Sequence, residues 1–212
     1  MDRRTFGAGS RVAAERETRM SLHKRNWEQD YADGRFDFLD QPHEQLRHAV
    51  ISCVISRHAP GEVIDLGCGR GQQLAWLRRE DVTRYTGVDV SPTALAGVPQ
   101  SPIPTETVVS SIEDYHAPAR EIGAIICAEA LYFLEDPVGP LQRIAREATS
   151  AKAIIVSLVV PNERKPNWRR DVEFVWDAFE QSGLPMIDKI RVGSSAAQIA
   201  WDVALYRVPG IT

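Results

Sequence analysis

Val63-Ile64-Asp65-Leu66-Gly67-Cys68-Gly69-Arg70-Gly71 is the stretch on which the reading of this chain turns. An apolar, β-branched run reaches an acid and then passes into glycine at every second position. Such a run favours a strand, and glycine lets the backbone take positive φ and approach a ligand closely. A helix is expected to open at Gly71 and run to about Arg79, its free N–H groups and dipole facing the turn. In open α/β sheets a ligand sits at the carboxyl ends of the strands, where such a turn lies.

Outward from the turn, short apolar runs alternate with helical patterns. Strands are expected at Glu62–Leu66, Tyr85–Asp89, Thr107–Ser110, Gly123–Ala128, Ala153–Val160, Ile187–Val192 and Ile199–Val208, the last two as a hairpin. Helices are expected at Glu44–Arg57, Leu141–Ala148 and after Asn167, an N-cap candidate, with Trp168, Val172, Val175 and Phe179 turned to the core. The pattern predicts an α/β fold: a Rossmann-like, seven-stranded, mostly parallel sheet with helices on both faces.

The 212 residues suit one domain, and 43% hydrophobic content supports a real core. A net charge of −4 argues against nucleic-acid binding by bulk charge. Three dispersed cysteines, Cys53, Cys68 and Cys127, suggest neither a disulfide framework nor a metal site. No apolar run reaches the ~20 residues of a membrane span. Residues 1–24, polar and arginine-rich, read as a tail, and 25–212 as one domain with an N-terminal helical cap over 25–58. The expectation is a cytoplasmic monomer or homodimer.

The glycine turn has an obvious competitor reading. Nicotinamide and flavin folds use G-x-G-x-x-G, which needs glycine at position 72; this chain has Gln72, and its third glycine comes one residue early. Asp89 closes the second strand and can accept both hydroxyls of a ribose, a feature that both cofactor classes share.

The pattern D-x-G-x-G-x-G, followed by Gly87-Val88-Asp89, is similar to the first two motifs of class I S-adenosylmethionine-dependent methyltransferases. Over roughly residues 60 to 160 the chain resembles the bacterial small-molecule type. Cys127-Ala128-Glu129-Ala130-Leu131-Tyr132-Phe133-Leu134 resembles the branch that includes nodulation-factor N-methyltransferases. The resemblance implies S-adenosyl-L-methionine as cofactor and a small-molecule methyl acceptor. It implies cofactor contacts from Asp65, Gly67, Cys68, Gly69 and Gly71 in the turn, and from Asp89 and Val90 after the second strand. It implies further contacts from Ser111, Ile112 and Glu113 after the third strand, and from Ala128 and Glu129 after the fourth. Many relatives carry aspartate at Ser111 and histidine at Phe133. The second departure takes support from a metal-assisted mechanism.

Trp27 and Tyr31 share a helix face. They either offer an aromatic face to the sulfonium, worth roughly 0.5–2 kcal/mol, or staple the N-terminal segment to the domain. Arg47 either reaches the cofactor carboxylate or faces water. His43, His48 and His58 read as surface groups. Glu129, Tyr132 and His116 are the candidate catalytic groups, with Glu129 able equally to bind the cofactor's amine or orient the substrate. The cluster Arg164, Lys165, Arg169 and Arg170 reads as a solvated face or an anion site. The function expected is methyl transfer to N or O of a compact molecule. The alternatives are a non-catalytic S-adenosylmethionine-binding partner protein and an NAD(P)-dependent oxidoreductase.

Overall fold

The computed structural model describes residues 26–162 and 166–209, with backbone alone at 166 and 167. The tail over 1–24, Arg164 and Lys165 lie outside the described residues. Seven strands form one sheet: β1 (Gly61–Leu66), β2 (Val82–Asp89), β3 (Thr105–Val109), β4 (Glu121–Ala128), β5 (Ser150–Val159), β6 (Met186–Ser194) and β7 (Ile199–Arg207). Their order is β3-β2-β1-β4-β5-β7-β6. The first five are parallel, and β7 returns antiparallel between β5 and β6.

Helices cover both faces, as the alternation of apolar side chains along the central strands requires. Ile125 and Cys127 of β4, with Ile154 and Val156 of β5, face α4 (Gly139–Glu147) and α5 (Pro166–Gln181), which contribute Leu141, Ile144, Val172, Val175 and Phe179. Ala124 and Ile126 of β4, with Ile155 of β5, face α2 (Leu46–His58) through Ile51, Val54 and Ile55. Two short helices, α1 (Trp27–Ala32) and α3 (Pro92–Ala96), stand at the carboxyl ends of the strands, where the segment around α1 overlies the glycine turn.

One expected helix does not form. After Gly71 the chain makes only a 3-10 turn, Leu74–Trp76, and then extends at Leu77. Of the 3-10 residues only Leu74 is buried, so no apolar stripe holds a helix there. Asn167 lies inside α5, which opens at Pro166, so it is no N-cap; proline suits a first helical turn. Ser150 and Ala151 open β5.

Candidate functional site

The order reverses between β1 and β4, which is the switch point of a doubly wound sheet. A cavity of about 600 Å3 opens there, beneath the segment that carries α1. The glycine turn forms its floor. Gly67 and Gly69 hold φ of +70° and +56°. A Cβ on Gly69 would stand 2.6 Å from the Tyr31 hydroxyl, and one on Gly67 would stand 2.7 Å from Ala130. Only glycine lets the turn pass beneath both neighbours. Gly71 also has positive φ, but it packs against Val98 and does not line the cavity.

Asp89 is buried at the end of β2. Its carboxylate accepts from the Gly69 and Ser91 backbone N–H groups, both at 2.9 Å. Each oxygen keeps a lone pair for a further donor. Burial holds its carboxyl above the ordinary range against backbone bonds from Ser91, Gly69 and Val90. Asp65 also lines the cavity, and the Tyr85 hydroxyl donates to it at 2.8 Å. Burial first, and then the Asp89 charge, lift Asp65 to about 7. Burial with Asp65 and Asp89 pushes the Cys68 thiol well up, so it stays a thiol.

After β3, Ser111, Ile112 and Glu113 line the cavity. Ser111 closes on itself: its hydroxyl donates to Asp114 and accepts the Asp114 N–H, at 2.8 and 3.0 Å. After β4, Glu129 takes a left-handed φ of 61°, uncommon for a residue with a Cβ. Its backbone N–H is held by the Ser157 carbonyl at 2.9 Å. This twist places the side chain in the cavity wall, where the Tyr132 hydroxyl donates to one carboxyl oxygen at 3.2 Å. The other oxygen, Oε1, is buried and has no partner among the described residues. Burial raises Glu129 from 4.5 to about 7, opposed by the nearby Arg47 charge and the Tyr132 bond.

An arc of rings lines the same cavity and reaches this carboxyl through Tyr132. Tyr31 packs on Phe36, Trp27 on Phe133, Phe133 on Tyr132, and Tyr132 on Trp168, with centroids 4.5 to 4.9 Å apart. Trp27 and Phe36 stack at 6.0 Å and join the pairs into one arc. Trp168 packs against the core, as the sequence reading has it, and is also part of the cavity wall.

Three expectations need correction. Arg47 does not face water: it is buried, paired with Glu44, and 5.1 Å from the Trp201 ring. His48 is no surface group either; it is buried, with Nδ1 3.0 Å from Gln73 Oε1. Their signal was in the sequence, since 47 and 48 extend upstream the stripe of Ile51, Val54 and Ile55 at helical spacing. His116 lies away from the cavity, exposed, and pairs with Glu147 beside Arg143. Glu44, Gln73 and Trp201 were missed; no local motif marks them, because distant elements bring them to the wall. Arg169 and Arg170 are exposed and do not line the cavity.

A family model described as a methyltransferase domain matches residues 64–154. The matched span runs from the strand before the glycine turn into β5. No curated protein matches the chain. Among solved structures, the chain is similar to one from a complex between the Haloferax volcanii Trm112 methyltransferase activator and a methyltransferase. That match has 19% identity and a TM-score of 0.65, and covers 87% of this chain and 98% of the other. The N-methyltransferase NodS from Bradyrhizobium japonicum, bound to S-adenosyl-L-homocysteine, is 18% identical with a TM-score of 0.62, over 91% and 99%. The plantazolicin methyltransferase BpumL with the same ligand is 13% identical with a TM-score of 0.60, over 94% and 99%. At such identities the likeness is one of fold, and the fold is the Rossmann-like methyltransferase architecture.

Proposed function

We propose that this chain is an S-adenosylmethionine-dependent methyltransferase acting on nitrogen or oxygen of a compact acceptor. The observation that carries the reading is one cavity at the switch point, lined by a glycine turn and a buried Asp89 and by the Glu129 carboxyl with an arc of rings. The methyltransferase-domain match over 64–154 supports it.

The residues present fit the cofactor. Asp89 has lone pairs for ribose hydroxyls, Val90 and Ile112 offer apolar surface for a purine, and the unpartnered Arg47 Nε has a proton for a carboxylate. S-adenosylmethionine supplies, when bound, a methyl group already activated on a sulfonium. What remains for the chain is alignment, which can lower a barrier by about 7–11 kcal/mol.

The acceptor then meets Glu129 and the ring arc. With an ionisation near 7, Glu129 can take a hydrogen bond or a proton from an acceptor at neutral pH. Tyr132 serves as its positioning donor rather than as a base, because burial and the Glu129 charge hold its phenol protonated. Rings beside a carboxylate attract a nitrogen that gains positive charge as it is methylated. That favours an amine over an alcohol, and NodS is by name an N-methyltransferase.

Calorimetry tests the cofactor: S-adenosylhomocysteine should bind at micromolar concentration and NAD(H) should not, and the reverse result overturns the reading. Labelled S-adenosylmethionine with a metabolite extract tests transfer. A labelled compound bearing N–CH3 supports the amine preference, and a labelled O–CH3 refutes it. Binding without any transfer points to the non-catalytic alternative.

A further inference from the structure

Two residues in the first turn of α2 line the cavity and each carries a buried nitrogen without a partner among the described residues. Arg47 and His48 are 3% and 5% exposed. Arg47 Nη1 is engaged by the Glu44 carboxylate and backbone carbonyl. Its Nε has no partner among the described residues, and neither has His48 Nε2.

The tautomer of His48 follows from Gln73. The Gln73 amide nitrogen donates to the His48 carbonyl at 3.2 Å, which turns its oxygen toward His48 Nδ1 at 3.0 Å. Reversing the amide would set two acceptors against each other at the carbonyl. Gln73 Oε1 therefore accepts, and Nδ1 carries the proton. Burial and the adjacent Arg47 charge keep the ring neutral, at about 3. Nε2 is then a bare lone pair, shut from bulk water. Leaving such a group unsatisfied is costly, because it loses its water without gaining a partner.

Both residues line one cavity, with a donor N–H on Arg47 and a bare acceptor on His48, which suits a ligand end that carries both a carboxylate and an amine. Gln73 stands two residues beyond Gly71 and ties this pair to the glycine turn. We propose that His48, set as the Nδ1–H tautomer by Gln73, binds the amine of the methyl donor's amino-acid end, with Arg47 holding the carboxylate. The assignment rests on the cofactor reading given above. It frees Glu129 for the acceptor. Both nitrogens are covered in this structure, so the contact requires a small shift of the wall.

Calorimetry with three ligands tests it: S-adenosylhomocysteine, its analogue lacking the α-amine, and methylthioadenosine, which lacks the amino-acid chain. His48→Phe keeps a ring without nitrogens. It should weaken S-adenosylhomocysteine about tenfold and leave the other two within twofold of wild type. His48→Asn, whose amide can still reach Gln73 but which lacks the distal nitrogen, should give the same pattern if the Phe variant folds poorly. An unchanged affinity for S-adenosylhomocysteine in a folded variant, or equal losses for all three ligands, overturns the assignment. A wild-type protein that binds none of them overturns the cofactor reading instead.

Discussion

Replacing Glu129 with glutamine should stabilise the fold above neutral pH while impairing turnover. An unfolded glutamate ionises near 4.5, and burial lifts Glu129 to about 7 in the folded chain. As pH rises from 4.5 the unfolded state loses this proton first, so folding stability falls until pH passes 7 and is flat beyond. Moving a carboxyl from 4.5 to about 7 corresponds to roughly 3 kcal/mol against its charged form. Glutamine carries no charge, keeps an oxygen for the Tyr132 hydroxyl, and inherits the same φ of 61°, so backbone strain cancels in the comparison. At pH 8.5 the variant should be about 2–3 kcal/mol more stable, which for a chain of this size raises Tm by about 5–10 °C. At pH 4.5 the two proteins should melt together. Asp65, also lifted to about 7, is common to both and drops out of the difference. Calorimetric melts of both proteins from pH 4.5 to 8.5 provide the check. A difference that does not vary with pH, or a glutamine variant less stable at pH 8.5, refutes the burial argument. Turnover in the same variant should fall more than S-adenosylhomocysteine affinity.

Three further outcomes are expected. Asp89→Ala should weaken S-adenosylhomocysteine about 10–100-fold by calorimetry, through charge-assisted bonds of about 1.5–3 kcal/mol; unchanged affinity would remove Asp89 from the site. Gly69→Ala should weaken the same binding, since its Cβ meets the Tyr31 hydroxyl at 2.6 Å, and left-handed backbone adds about 1–2 kcal/mol. Adding Tyr31→Phe should recover the steric part, because the next Tyr31 atom stands at 3.6 Å; no recovery would show that backbone strain alone is responsible. Glu28→Ala should loosen α1, whose Glu28 carboxylate accepts from the Ser91 hydroxyl at 2.5 Å and from the Thr93 hydroxyl and N–H. Faster hydrogen exchange over 27–32 with severalfold weaker S-adenosylhomocysteine binding is expected, and unaltered exchange would refute the latch.

Much of the sheet was legible because its central strands are continuous apolar runs. Ile125, Cys127, Ala124 and Ile126 serve two faces at once, so the run itself announces a buried parallel strand. The hairpin of β6 and β7 was legible from proximity in the chain. The helix after Gly71 was misread because a local pattern does not show which side chains find core partners, and of Leu74–Trp76 only Leu74 does. His48 was misread because a polar residue at a core position looks like a surface residue until its partner is known, and that partner, Gln73, is 25 positions away.

The position of the cofactor-type turn, and of the carboxylate that follows it, is written in neighbouring residues. Glycine tolerance of positive φ and the placement of Asp89 at a strand end are local properties. Only the tertiary structure decided what the cavity wall can recognise. The ring arc, the orphaned Glu129 oxygen and the proton position on His48 each arise from groups that are remote in sequence. Their chemistry depends on burial and on the partner supplied, and neither exists before the sheet has closed around them.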